Sequence, residues 1–340
     1  MKIAIAGAGA IGAYLGAKLV QAGFDVYFIA RGPHLDAMKK NGLKVIDRGD
    51  ETFTVGVNAF SNSNEIGPVD LVFMTLKAHS LSSYVPSQLD SLLGSDTTVV
   101  TAQNGLPWWY FMNHGGEYEG RNIERLDPDG KISKILDPSR IIGSVVYLAT
   151  IIDQPGIIRF QEGDRFTLGE LDGSDSFRVN SIAEAISAAG MRARVNKNIR
   201  QEIWVKLLGN LAFNPLSVIT RSTLYDMATH EGIVDIARSA MLEATKIANE
   251  LGIRIPISIE KRIEGVKSVG HHKTSMLQDL ESGRPIELEA MLGSVEELGE
   301  ILNIKTPYIS ALYSCTDLLT KHKGNSVSYT HLTLPTNREV

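Results

Sequence analysis

Lys206, Asn210 and Asn214 recur every fourth residue in KLLGNLAFNPL, residues 206 to 216. In a helix that advances about 100° per residue they drift by only about 40° at each step and share one stripe. The remainder of that segment, Leu207, Leu208, Leu211, Ala212 and Phe213, is apolar. A buried amide or ammonium without a partner costs on the order of 1–3 kcal/mol or more, so three in a row make a poor core and a good candidate site. An ammonium can donate a proton and steady a developing negative charge. Amides offer neutral donors and acceptors to carboxylates and hydroxyls. The competing reading is that Asn210 and Asn214 bond backbone within a packed helix.

A second centre lies near the N-terminus. GAGAIG sets Gly7, Gly9 and Gly12 in the G-x-G-x-x-G spacing, with Ala8, Ala10 and Ile11 between them, directly after an apolar run. Gly7 permits the tight turn, Gly9 lets the backbone approach a pyrophosphate, and Gly12 allows a helix to pack closely on a strand. The next strand ends in FIARG, which puts Ala30 and Arg31 where an NAD-preferring site carries an acidic residue. Arginine can grip a phosphate with two hydrogen bonds, so NADP(H) is the expected cofactor, the alternative being a solvated loop arginine. Lys77 closes DLVFMTLK at the strand edge where open α/β sheets bind ligands, though a lysine there is equally a surface charge. In HHKTSMLQDLESGRPIELEA (271–290), Ser275, Asp279 and Glu287 lie close in sequence, and Glu287 falls in the first turn of a new helix after Gly283. Acidic residues in a first turn are common for dipole reasons alone. His271 and His272 are adjacent without a third spaced ligand, so no metal is expected.

The elements that must carry these residues divide the chain in two. KIAIA (2–6), DVYFIA (25–30), DLVFMTLK (70–77) and TTVVTAQNG (97–105) read as strands separated by helices or loops, which predicts a mostly parallel, doubly wound sheet covered on both faces. IIGSVVYLAT, GIIRF and RFTLGEL read as further strands, and SIAEAISAAG as a helix ended by Gly190. Residues 113–139, polar and glycine-rich, read as a surface excursion. From about residue 197 the pattern turns helical, over 198–214, 231–251, 256–267, 286–302 and 307–322. The expected organisation is a Rossmann-type α/β domain over 1–195 and a mostly α-helical domain over 196–325. The last stretch, VSYTHLTLPTNREV (327–340), has neither helical period nor charge logic and reads as translated adapter sequence, so 326–340 is set aside, and with it His331.

Composition narrows the function classes. The 340 residues are 43% hydrophobic and 21% charged with a formal net charge of -5, which gives no electrostatic footprint for nucleic acid or an anionic membrane. No run of 18 apolar residues suggests a membrane span. The single cysteine, Cys315, excludes an internal disulfide, favours a reducing, cytoplasmic setting, and in a helical segment reads as a packed thiol.

GAGAIG, LK at 76–77, QNG at 103–105, KLLGNLAFNPL and SMLQDLESGRPIELE follow in the order seen in ketopantoate reductases, and over about residues 1–322 the chain resembles that family. The resemblance implies NADPH-dependent reduction of 2-dehydropantoate to (R)-pantoate, a step of pantothenate synthesis. It implies Lys206 as proton donor, with Asn210, Asn214 and Ser275 contacting substrate. Lys77, Asn104 and Glu287 match positions at the junction of cofactor and catalysis, and Arg31 matches the residue that recognises the 2′-phosphate. An unperturbed lysine, with a pKa of about 10.4, is protonated at neutral pH. The chain departs from the family at Leu224, where a polar residue on the substrate side is usual, at Ser80, often glutamine, and in the long 113–139 loop. Two other readings therefore stand beside the first: a reductase of another branched 2-oxo acid, and a non-catalytic NADP-binding sensor. Apolar faces on the helices would suit a homodimer.

Overall fold

A computed structural model gives the fold of residues 1–325; the adapter-like stretch from 326 on lies outside the described residues. The chain begins with β1 (Lys2–Ala6), α1 (Ala10–Gln21), β2 (Asp25–Ile29), α2 (Gly32–Asn41), β3 (Leu43–Ile46), β4 (Thr52–Val55), β5 (Asn58–Phe60) and β6 (Val69–Met74). It continues through one turn of helix, α3 (Leu81–Tyr84), then β7 (Leu93–Thr101), β8 (Ile141–Gln154), β9 (Ile157–Glu170), α4 (Phe177–Ala188) and β10 (Arg192–Val195). All ten strands join one sheet in the order β4-β3-β9-β8-β7-β6-β1-β2-β5, with β10 beside β9.

Alternate residues of β1 feed separate cores, Ala4 and Ala6 on one face and Ile3 and Ile5 on the other. That is why KIAIA is apolar throughout: a strand covered on both faces has no solvent side. The run β5-β2-β1-β6-β7-β8 is parallel, and its strand order reverses at β1. Register makes this reversal useful. Ala6 pairs with both Ile29 and Met74, and Met74 pairs with Thr101. The segments after all four strands, at Gly7, Ala30, Thr75 and Ala102, therefore leave the sheet along one edge, the usual ligand crevice of such folds.

Two details differ from the sequence reading. The three short strands expected after residue 140 are one antiparallel hairpin, β8 and β9, each 14 residues long and turning at Gly156 with a φ of +77°. Residues 113–139 are not a simple surface excursion. Ile123, Ile132 and Leu136 are fully buried, and so is Asp127, whose carboxylate accepts the Ile132 and Ser133 N–H groups at 2.7 and 2.9 Å. The loop also reaches the helical part, where Arg125 pairs with Glu289 and Glu296. A few apolar anchors spaced through polar sequence hold it down, a pattern with no helical or strand period to reveal it.

The helical part comprises α5 (Ile199–Thr220), α6 (Leu224–Thr229), α7 (Glu231–Glu250), α8 (Ile259–Ser268), α9 (Ser275–Glu281), a π-helical turn (Glu289–Gly293) running into α10 (Ser294–Ile301), and α11 (Pro307–Asn325). Asn198 caps α5 by accepting the Gln201 N–H at 3.0 Å. The helix packs on α7, α9 and α11 and also touches β8 and β9, so it lies where the two domains meet. It is long and apolar enough to cross a membrane, but 72% of the qualifying window is buried inside the protein, as in a core helix. Cys315 is exposed on α11 rather than packed.

Candidate active site

The glycine loop has the geometry its spacing suggested. Gly7 has a φ of +102°, and the Gly9 N–H donates to the Gly7 carbonyl at 2.7 Å. A Cβ on Gly12 would stand 2.5 Å from that same carbonyl oxygen and would overlap the Thr75 hydroxyl, so α1 can approach the sheet only with glycine there. A Cβ on Gly9 would meet no atom within 4 Å, which leaves open space beside the loop. The first turn of α1 carries no side-chain cap and no acidic residue. Its unpaired N–H groups and that space fit a pyrophosphate. Ala8 is buried, while Ala10 and Ile11 are half-buried. Arg31, exposed, sits just before α2 at the carboxyl end of β2.

The loops after β6 and β7 are tied to the helical domain. Lys77 is not the last residue of its strand, which ends at Met74; its ammonium pairs with Asp279 at 2.6 Å and donates to the Pro285 carbonyl at 3.2 Å. Gln103 donates to the Met74 and Leu76 carbonyls at 2.7 and 3.0 Å. Gly105, with a φ of +86°, passes so close to the π-helical turn that a Cβ there would stand 2.5 Å from the Ala290 carbonyl carbon. The Leu106 N–H then donates to the Ala290 carbonyl at 2.8 Å. Glu287 immediately precedes the helix that starts at Leu288, one residue short of its first turn. Its carboxylate accepts the Ala78 N–H at 3.0 Å. Burial raises the Glu287 pKa, against the Ala78 hydrogen bond, the Lys77 charge and the Asn104 amide, which all favour the carboxylate.

The polar stripe of α5 meets these loops. The Lys206 ammonium donates to the Asn104 side-chain oxygen and to the Val146 carbonyl, both at 2.6 Å. An ammonium has three protons, and these two acceptors leave one free. Burial lowers its pKa from 10.5 to about 8; Glu287 opposes that fall and Arg262 adds to it. Lys206 is thus less basic than the unperturbed value used above, yet still mostly charged at neutral pH. Asn210 is half-buried and makes no side-chain hydrogen bond among the described residues, whereas Asn214, 5% exposed, donates to the Met291 sulfur at 3.1 Å. Sulfur is a weak acceptor, so that amide keeps capacity for a better partner. Ser275 is exposed as the first residue of α9, which is capped by Thr274.

The arrangement therefore joins Lys206, Asn104 and Glu287 across the domain junction, with Lys77 held close by on Asp279. Sequence reasoning missed Tyr147, whose ring lies 5.7 Å from the Lys206 ammonium, and Arg262, which donates to the Lys206 carbonyl at 3.3 Å. The available signal for Arg262 was Gly209, the one position on that stretch of α5 with no side chain. A cavity of about 790 Å³ also borders Glu287, but its walls, such as Leu81, Trp108, Leu126 and Leu280, include neither Lys206 nor the glycine loop. No cluster of potential metal ligands occurs among the described residues.

Comparison with known proteins gives the family. The profile of ketopantoate reductase PanE/ApbA matches residues 3–173, and that of the ketopantoate reductase PanE/ApbA C terminal matches residues 198–320. The 2-dehydropantoate 2-reductase of Mesorhizobium japonicum is 49% identical over 325 residues, covering 95% of this chain and 99% of the relative. A crystal structure from Ralstonia solanacearum, assigned as a ketopantoate reductase, is 35% identical with a TM-score of 0.90 over 95% of this chain and 98% of the other. The 2-dehydropantoate 2-reductase of Geobacter metallireducens is 29% identical with a TM-score of 0.82, covering 94% and 99%. The fold, the nucleotide crevice and these likenesses agree: the chain belongs to the ketopantoate reductase family and is an oxidoreductase of the 2-dehydropantoate 2-reductase type.

Proposed function

We propose that the protein reduces 2-dehydropantoate to (R)-pantoate with NADPH, in the service of pantothenate synthesis, and that Lys206 is the proton donor. The observation that carries this reading is the Lys206 ammonium, fixed at the domain junction by two oxygens with its third proton free. The reduced nicotinamide, when bound, supplies a hydride to the 2-oxo carbon. Negative charge then grows on the 2-oxo oxygen, and Lys206 stabilises it and delivers the proton. Asn104 and Val146 orient the ammonium, and Glu287 favours its charged form. The free N–H groups after Gly9 take the pyrophosphate, with Ala8, Ala10 and Ile11 in the same loop, and Arg31 takes the 2′-phosphate. Lys77 serves the cofactor side of the junction, while Asn210, Asn214 and Ser275 face substrate. A second substrate is favoured by one observation: Leu224, half-buried at the start of α6, brings an apolar side chain where the family usually has a polar one.

The test is loss of NADPH absorbance with 2-dehydropantoate, beside a panel of other branched 2-oxo acids and beside NADH, in the native protein, Lys206→Ala and Arg31→Ala. Turnover of 2-dehydropantoate above the other acids, lost in Lys206→Ala and with NADPH preference lost in Arg31→Ala, is expected. Preference for a different acid reassigns the substrate. NADPH binding without turnover of any acid refutes the enzymatic reading and leaves a sensor.

A further inference from the structure

We propose that Tyr147 and Arg165 are positioning residues for the proton donor: they hold the Glu202 carboxylate off Lys206, so that the free proton of that ammonium stays open to substrate; this rests on the reductase reading above. Glu202 and Lys206 stand four residues apart on α5, which puts them on one face, one turn apart. The order is the favourable one, with the glutamate on the N-terminal side. Helical side chains also lean toward the N-terminus, so Lys206 sets out over the turn that carries Glu202. A helix with this spacing ordinarily closes it as an ion pair.

The pair is open here. Lys206 donates instead to Asn104 and Val146. The Glu202 carboxylate, on a residue only 9% exposed, turns to the β8–β9 hairpin. From β9, Arg165 pairs with it at 3.3 Å, and from β8 the Tyr147 hydroxyl faces it. Burial and the Glu202 charge push the Tyr147 pKa up to about 12, so the hydroxyl stays protonated and remains a donor. The clamp is also braced within itself, because the Arg165 guanidinium lies over the Tyr147 ring at 4.1 Å from its centroid.

Tyr147 borders both charges. Its hydroxyl is at Glu202, its ring lies 5.7 Å from the Lys206 ammonium, and the residue before it in β8 supplies the carbonyl that holds Lys206. The remaining charges that face these groups are Glu287, ahead of the π-helical turn, and Arg262 on α8, which acts on both Lys206 and Tyr147. Keeping Glu202 away has a chemical consequence. A carboxylate on Lys206 would take the one proton the ammonium has to spare, and it would make the ammonium a weaker acid where the reaction needs that proton released to the substrate oxygen.

The test is the Lys206 pKa, followed by nuclear magnetic resonance of carbon-13 at the lysine ε-carbon in the intact chain, the signal being identified by its loss in Lys206→Met. Tyr147→Phe combined with Arg165→Met releases Glu202. The Lys206 pKa should then rise by about one pH unit, as for a carboxylate brought to within about 4–6 Å, and turnover at pH 7 should fall about 10-fold. Glu202→Gln added to that background should return both to near their native values, whereas Glu202→Gln alone should leave both near native. This non-additivity separates a diverted carboxylate from the plain field of the removed charges, whose effects would add. Tyr147→Phe alone changes no charge; it should raise the pKa in smaller measure, and it answers the question if the double variant does not fold. A Lys206 pKa unmoved or lowered in these variants, or a Glu202→Gln effect of equal size in both backgrounds, would overturn the proposal. Because the resonance is read without turnover, a protein that shows the expected shifts but reduces no 2-oxo acid refutes the proposed reaction and leaves the diversion of Glu202 standing.

Discussion

Lys206→Met removes an ammonium that the folded protein holds at a disadvantage. Its pKa falls from 10.5 to about 8, and at about 1.4 kcal/mol for each tenfold change in acidity the charged form is disfavoured by about 3 kcal/mol relative to the unfolded chain. Methionine keeps most of the aliphatic stem and carries no charge. Against that gain, the Asn104 side chain and the Val146 carbonyl each lose a donor, at about 1 kcal/mol apiece. The variant should therefore be more stable than native protein by about 1 kcal/mol at pH 7, while turnover falls by about 10²- to 10⁴-fold, the range for a lost general acid. The pH dependence is the sharper test. Between about pH 8 and 10.5 the unfolded native chain keeps a proton that the folded protein has released, so native stability rises with pH across that window. The variant has no such group. Its advantage at pH 7 should shrink and reverse by about pH 10, which paired denaturant titrations at the two pH values would show. A variant less stable than native protein at pH 7, or a difference that does not change with pH, would refute the reasoning.

Turnover that depends on the charged form of Lys206 should fall above about pH 8, tenfold per pH step at the limit. Glu287 opposes the lowering of Lys206, so Glu287→Gln should move that alkaline limb to lower pH; a pH–rate profile with an unmoved or raised limb would contradict the coupling. Gly105→Ala should destabilise the domain junction by about 1–3 kcal/mol, because it strains a φ of +86° and drives a Cβ into the Ala290 backbone. A denaturant midpoint unchanged from native would show that the junction yields freely.

By itself the sequence determined whatever depends on near neighbours. KIAIA read as a buried strand from its apolar run stopping at glycines, GAGAIG read as a tight turn opening a helix from its spacing and place after that strand, and the change to helical periodicity beyond residue 197 separated the two architectures. The motif order was enough to bring the family into view. Short elements escaped, such as β3, β4 and β5 with three or four residues each, since so few residues establish no period. The burial of Ile123, Ile132 and Leu136 and the exposure of Cys315 also escaped, because burial depends on what arrives from elsewhere in the chain. The same holds at the candidate site. Lys206 and Asn104 are 102 residues apart, and the Arg262 contact with the Lys206 carbonyl spans 56. Only tertiary structure decided that these groups share one low-dielectric junction. There the lowered Lys206 pKa and the unpartnered Arg262 Nε arise from desolvation and from groups brought together by folding, which no local pattern encodes.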